Sequence, residues 1–231
     1  MFSTGKRMLG GTYLVLCLVL AGVLAVPRDG VSAATAGSQG QSVQRILDAT
    51  IKANEFRGTL KRGEMTLQAM GSPKFSTPDS YMTADRMSFV VAGDKGVTRG
   101  LAEGHVTFRT RLKSGGKQGS ETVVVGSADA LAMDRPAGTT QLTGGVKIRA
   151  ESSDGRTLTA SAKRATIYRG RNEAVLEGEV TFTITAPGSF EGPATLTGEV
   201  FVYNLSDGTW SLKGGPEGQT TMRLKAKAGG Q

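Results

Sequence analysis

The sequence predicts an all-β chain of stacked, bent hairpins, and three observations carry that expectation. From Leu176 to Ile184, Leu176, Gly178, Val180, Phe182 and Ile184 alternate with Glu177, Glu179, Thr181 and Thr183, which is the period of a half-buried strand. Two half-motifs then recur in order along the chain: TADRMSF (83–89) with LAEGHVTF (101–108), SADALAM (127–133) with LTGGVKI (142–148), SAKRATIY (161–168) with LEGEVTF (176–182), and TGEVFVY (197–203) with LKGG (212–215). A small residue marks each first half (Ala84, Ala128, Ala162, Gly198) and a glycine each second half (Gly104, Gly144, Gly178, Gly214). The two marks are 20 residues apart in the first copy and 16 in the others, and the copies repeat every 34 to 44 residues. A period of this size signals stacked supersecondary units. The third observation is composition: aromatics are 6% and glycine is 33 of 231 residues, which suits a thin, elongated core.

Taken in order, Lys6 and Arg7 precede an apolar run from Met8 to Val26, and Val31-Ser32-Ala33 offers small residues at the −3 and −1 positions of a signal-peptidase site. Residues 1–33 therefore read as a signal peptide or, since about 28 Å of helix spans a bilayer core, as a retained signal anchor. Both readings export the chain. Cys17, the single cysteine, follows Leu16 instead of a small residue and lies in that run, so neither a lipoprotein anchor nor a disulfide framework is expected. Residues 34–55 read as a linker, in which Ser42 would cap a short helix with Val43, Ile46, Leu47 and Ile51 on one face.

The β-structure is expected over residues 56–225 as one domain. Leu60, Gly63, Met65 and Leu67 look like a second half-motif whose first half is missing. Residues 71–78, with Pro73 and Pro78, read as a loop, and so does KSGGKQGS at 113–120. Ser152-Ser153-Asp154-Gly155 and Asp207-Gly208 read as hairpin turns. Within the third copy the alternation changes phase at Lys163-Arg164, where a β-bulge would place one extra residue. Thr220 to Lys225 is a candidate final edge strand, and residues 226–231 a flexible tail.

Charge narrows the partners. Removing Lys6, Arg7, Arg28 and Asp29 leaves 25 basic and 19 acidic residues, a charge of +6. An exported basic surface suits anionic glycolipid, polysaccharide or a membrane face. Nucleic acid is not expected as a partner, because the basic residues are scattered and no aromatic stacking platform accompanies them. Catalysis finds little support: His105 is the only histidine and has no metal-ligating neighbour in sequence. Glu177 and Glu179 share a strand as solvated carboxylates, and no strand–serine–helix elbow occurs. No metal or other cofactor is expected, and no phosphate-binding glycine loop is present.

What recurs is an inward apolar stripe: Met87, Phe89, Val106, Phe108, Leu131, Met133, Val146, Ile148, Ala165, Ile167, Val180, Phe182, Phe201 and Tyr203. By the repeat, Val180 and Phe182 are expected beside Val146 and Ile148. Such a stripe is either plain core or, between two facing sheets, the lining of a trough that accepts acyl chains.

The alternation of an ADR-like strand (Ala84-Asp85-Arg86, Ala128-Asp129, Ala162-Lys163-Arg164) with an L-x-G-x-V strand (Leu142 to Val146, Leu176 to Val180) resembles the OstA-like family of lipopolysaccharide-transport proteins over roughly residues 58–225. That family includes a soluble periplasmic bridge protein and its single-span, inner-membrane-anchored partner. The resemblance implies an open, twisted β-jelly-roll with lipid A chains inside and sugar and phosphate outside. It implies a periplasmic location, head-to-tail joining to other β-jelly-roll proteins or to further copies by edge-strand addition, and no catalytic residues. Lipopolysaccharide or a similar anionic glycolipid would be the ligand, lying on the fourteen stripe positions. The competing expectation is a structural β-solenoid scaffold that assembles by its edges and binds no lipid.

Overall fold

The computed structural model of the chain describes residues 42–46, 49–61, 63–92, 95–113, 121–186, 192–204, 209–215 and 218–223. The expected signal segment with its apolar run, the 226–231 tail and the Asp207-Gly208 turn lie outside them. Among the described residues no helix is long and apolar enough to cross a membrane. The fold is all-β. Among the described residues the strands are β1 (Ser42–Ile46), β2 (Ala49–Ala53), β3 (Glu55–Lys61), β4 (Glu64–Met70), β5 (Lys74–Ser76), β6 (Ser80–Thr83), β7 (Arg86–Ala92), β8 (Gly96–Lys113), β9 (Glu121–Asp134), β10 (Thr139–Ser152), β11 (Thr157–Tyr168), β12 (Glu173–Thr185), β13 (Ala194–Asn204), β14 (Trp210–Lys213) and β15 (Thr221–Arg223). All belong to one antiparallel sheet that is open at its edges.

The registers show how one sheet makes two walls. The first wall runs β1, β2, β5, β6, then the later half of β8, the earlier half of β9, and so on alternately to β13 and β15. The second runs β3, β4, β7, the earlier half of β8, the later half of β9, and so on to β13 and β14. Each long strand from β8 to β13 therefore belongs to both walls and turns a corner in its middle.

The corner has a local cause. Successive left-handed residues occur at Gly71–Ser72, Gly104–His105, Gly144–Gly145 and Gly178–Glu179, with φ between +46° and +79°. On β12, Glu177 pairs Val200 and Val180 pairs Gly198, so Gly178 and Glu179 stand opposite the single residue Glu199. That is a β-bulge, which bends the strand that carries it. The phase change at Lys163-Arg164 is thus real, but the extra residue lies on the neighbouring strand: Gly178–Val180 oppose only Ala162 and Lys163. The bulged strand β12 keeps its alternation unbroken from Leu176 to Ile184, and only its partner β11 changes phase, which is why the sequence pointed to the wrong side.

Unlike Gly214, where a Cβ would meet the backbone at Gly218 and Gln219, the motif glycines Gly104, Gly144 and Gly178 have two reasons to be there. Each is left-handed, where a Cβ is costly, and each lies under a side chain of the preceding strand. A Cβ on Gly144 would strike Asp129, and one on Gly178 would come within 2.8 Å of Lys163. The ADR-like and L-x-G-x-V half-motifs are therefore the two sides of one contact. The same contact opens the domain: a Cβ on Gly71 would lie 2.6 Å from Asn54. Asn54, between β2 and β3, is thus the first half that seemed missing, and its partner glycine is Gly71. Gly63 instead has φ +82° at the end of the β3–β4 hairpin. The expected loop at 71–78 contains this corner and β5.

The expected helix around Ser42 is overturned. Ser42–Ile46 and Ala49–Ala53 form an antiparallel hairpin, with Ser42 opposite Ala53 and Ile46 opposite Ala49. Ala49, Ile51 and Ala53 are buried and alternate with less buried Thr50 and Lys52, a period of two that tertiary burial selected over the helical spacing. The sheet thus begins at Ser42 and not near residue 56. The turn expected at Ser152–Gly155 is present, with Gly155 N–H donating to the Ser152 carbonyl at 2.9 Å. Between β11 and β12, Arg169–Arg171 form one turn of 3-10 helix.

The corner account makes a specific demand. Gly144→Ala and Gly178→Ala are each expected to lower the unfolding free energy by roughly 1–3 kcal/mol, measured as a shift of the urea midpoint. Gly63→Ala, equally left-handed but with open space around it, should cost less than either. Equal costs at all three would remove the Asp129 and Lys163 contacts from the explanation.

Candidate functional site

The space between the walls is where the sequence placed its candidate site. All fourteen stripe residues lie there and all are buried, from Val106 and Ala165 at 0% exposure to Phe89 at 6%. Val106, Phe108, Val146, Ile148, Val180 and Phe182 come from the first wall, and Met87, Phe89, Leu131, Met133, Ala165, Ile167, Phe201 and Tyr203 from the second. They face each other across the gap, with Phe182 and Phe201 ring centroids 4.3 Å apart and Phe75 and Phe89 6.4 Å apart. These are contacts of an ordinary packed aromatic core.

Large and small residues alternate along part of the inner rows of the first wall, which lets bulky side chains fit over small neighbours. In one row Phe108, Gly126, Ile148, Ala160, Phe182 and Leu196 are consecutive partners, and the Phe108 ring occupies the space a Cβ on Gly126 would need. This row corrects the expected neighbourhood of Phe182. Ala160 of β11 stands between Ile148 and Phe182, because each repeat contributes two strands and its copies lie two strand spacings, about 9.6 Å, apart.

The stripe was incomplete. Leu142, Leu158 and Leu176 are buried in the same layer, and so are Ile51, Phe75 and Met82. The three leucines were legible, since each sits in phase with the alternation of its strand. Ile51 and Phe75 were hidden by the reading of residues 34–55 as linker and of 71–78 as loop, and Met82, on β6, lies just ahead of the first repeat.

Between Phe75 and Met82 of the first wall and Phe89, Gly100, Leu131 and Met133 of the second lies an enclosed, wholly apolar cavity of about 20 Å³. It forms where Gly100 has no side chain, with Met133 and Phe89 3.6 and 3.7 Å from where its Cβ would be. A volume of this size is about one water molecule, so the trough expected from sequence is closed here and filled by its own side chains. The polar exceptions in the layer are few. Ser80 and Thr110 hydrogen-bond each other at 2.8 Å, whereas the Thr140 hydroxyl is buried without a partner.

The walls are joined covalently only along the corner line, among the described residues, because every strand-to-strand connection away from it stays in one wall. On the opposite rims, backbone bonds such as Ser153 N–H to Glu121 O and Arg169 N–H to Gly138 O also stay within a wall. Side-chain packing alone therefore closes that seam.

The three residues weighed for catalysis are separated by their partners. His105 is on the corner, 91% exposed, with Nδ1 2.9 Å from Asp85 Oδ2. Asp85, by hydrogen bond and then by charge, raises the imidazole above its ordinary value. The pairing is with imidazolium, so any contribution to the fold is present below pH 6.5 and fades as pH rises through the raised value. Glu179 pairs Lys163 at 2.6 Å and holds that ammonium's pKa up, while Glu177 pairs Arg164 at 3.6 Å. The two carboxylates thus serve different cations. Among the described residues no three of His, Cys, Asp and Glu are grouped to hold a metal.

The ends of the sheet are also placed. At the first, β3 pairs only β4 and exposes Leu60 at 75%; at the last, β14 and β15 pair only β13, exposing Trp210 at 41% and Met222 at 58%. The expected edge at 220–225 is thus an edge strand, three residues long, with residues 224 and 225 outside the described part.

Comparison with family models and with curated proteins finds no match. Among solved structures, the chain is similar to LptH from Pseudomonas aeruginosa, described as the LptA-homologous periplasmic component of the lipopolysaccharide transport device. The identity is 11% and the TM-score 0.32, over 77% of this chain and 94% of that one. A functional reading of the chain therefore rests on its own geometry and motifs.

The buried hydroxyl gives a direct check on the packed interior. Thr140→Val keeps the shape and removes an unpartnered polar group, and it is expected to stabilise the protein by about 1 kcal/mol in urea unfolding. Destabilisation instead would mean that the hydroxyl has a partner inside the trough.

Proposed function

We propose that the protein is a non-enzymatic, periplasmic lipid carrier that shields the acyl chains of lipopolysaccharide, or a similar anionic glycolipid, between its two walls and passes the lipid towards the outer membrane. The observation that carries this reading is the continuous apolar layer, fourteen predicted positions among it, between walls hinged on one side only. The repeated half-motifs that resemble those of the OstA-like family support it. Lipid enters by parting the seam opposite the corner, and side-chain packing is replaced by acyl packing. Burying a twelve-carbon chain is worth on the order of 9 kcal/mol at 0.8 per methylene, which offsets the loss of side-chain packing as the walls separate. Flexible Met82, Met87 and Met133 adapt to either filling. Since the chain has no nucleotide-binding glycine loop, the energy for directional release comes from partners.

Joining to those partners follows from the ends. Strand addition to β3 at one end, or to β14 and β15 at the other, would satisfy their free backbone groups and cover Leu60, Trp210 and Met222. The scaffold reading shares this feature, and the closed interior favours it. Lipid capture separates the two.

A photo-crosslinking side chain at Phe182, 2% exposed inside, should capture the glycolipid, and the same group at Val175, on the outer face of β12 in the second wall, should not. Capture that is equal at both sites, or absent from both in folded protein supplied with lipid, would leave the layer as plain core and the protein as a scaffold. For the ends, deleting residues 220–225 should abolish concentration-dependent association in light scattering while the melting transition survives; a chain that is monomeric at high concentration before the deletion contradicts end-joining.

A further inference from the structure

The outer faces of the two walls carry charge in different ways. On the second wall three arginines pair carboxylates across strands: Arg86 to Glu103 at 2.8 Å, Arg99 to Asp134 at 3.3 Å, Arg164 to Glu177 at 3.6 Å. On the first wall the two cross-strand rows nearest the corner contain no carboxylate among the described residues. One row runs from Thr107 through Ser127, Lys147, Ser161 and Thr181 to Thr197. The next contains Arg109, Val125, Arg149, Thr159, Thr183 and Thr195. Arg109 and Lys147 have no ion-pair partner among the described residues, and Arg149 pairs Glu151, on its own strand, at 3.5 Å.

The same place is concave. A groove of about 500 Å³ crosses β9 to β12, lined by Lys147 and Arg149, by Ser127, Thr159, Ser161 and Thr181, and by the exposed Val125. It arises because the flanking side chains are short, so the backbone of Gly126 and Ala160 forms part of the floor. Cations spaced two residues apart on one strand present adjacent donors on one face. The hydroxyls beside them are donors and acceptors at once.

We propose that this groove is a binding site for an anionic saccharide, a sugar bearing phosphate groups, with Lys147 and Arg149 taking the anion and the Ser and Thr hydroxyls taking sugar hydroxyls. Anion charge alone would need only the cations; the uncharged hydroxyl field around them matches a ligand that is itself covered in hydroxyls. A nucleic acid is disfavoured, since the groove has no aromatic side chain on which a base would stack. The site is separate from the acyl layer, because Lys147 and Ile148 point to opposite faces of β10. The ligand's source is either the sugar part of a glycolipid or a soluble phosphorylated saccharide, and the groove recognises the chemistry the two share.

The test titrates the full chain with a phosphate-bearing mannose oligosaccharide, its dephosphorylated counterpart, inorganic phosphate, and a single-stranded oligonucleotide of equal charge. Saturable binding of the first is expected, weakened by roughly ten-fold or more in Lys147→Gln/Arg149→Gln, as loss of a charge-assisted hydrogen bond would produce. Arg86→Gln/Arg164→Gln, on the other wall, should leave it unchanged. Ser161→Glu places a carboxylate beside Lys147 and should also weaken binding with both cations in place, so a poorly folded double variant does not stop the test. A deacylated, phosphorylated glycolipid headgroup that competes with the oligosaccharide assigns the site to headgroups, and failure to compete assigns it to soluble saccharides; either supports the groove. No saturable binding, equal loss in the two double variants, or equally tight binding of inorganic phosphate or the oligonucleotide would overturn it. Because acyl capture at Phe182 is read separately, either result can fail without the other.

Discussion

The structure depends on one constraint, the bulge that carries two successive left-handed residues in the middle of a strand. An antiparallel sheet of this many strands would otherwise twist open, with each apolar face left in water. Gly104–His105, Gly144–Gly145 and Gly178–Glu179 recur on alternate strands, and together with Gly71–Ser72 they align the bends on one line. The sheet then folds onto its own apolar face. Every second strand supplies the side chain that lies over the glycine, so Asp129 and Lys163 tie the corner without a bulge of their own.

The corner also decides how the interior behaves. Since the two walls share covalent connections on one side only, their inner faces are held together by side-chain packing, which is non-directional and divisible. Alternation of Phe108 with Gly126, and of Phe182 with Ala160, lets that packing be close without interlocking across the whole width. A layer of this kind is stable when closed and can exchange its own packing for that of another apolar chain. The cavity beside Gly100 marks where such exchange already has a gap.

The outer faces show a second division of labour. The second wall neutralises itself with Arg–Glu and Arg–Asp pairs, which are exposed and add little to stability. The first wall leaves cations among hydroxyls. A composition count alone would not reveal that Lys147 and Arg149 stand together among hydroxyls in one groove.

Much of the fold was legible in the sequence because strand burial has a period of two and the half-motifs repeat. From them followed the all-β class, the fourteen inner positions and the turn at Ser152–Gly155. The sequence could not say which strand of a pair holds the extra residue, since the phase changes on β11 while the bulged β12 alternates without a break; pairing placed it at Gly178–Glu179 instead of Lys163-Arg164. Nor could it identify Asn54 and Gly71 as a further copy, because their contact is through space and their flanks lack the ADR and L-x-G-x-V letters. Ser42 to Ala53 satisfied a helical spacing as well as an alternating one, and the hairpin prevailed because it buries Ile51 against the rest of the sheet. Sequence alone thus determined which residues face inward, a local property of alternation. Tertiary structure decided that the inward faces close on one another and that Lys147 and Arg149 stand among hydroxyls in one groove, because both depend on which strands become neighbours.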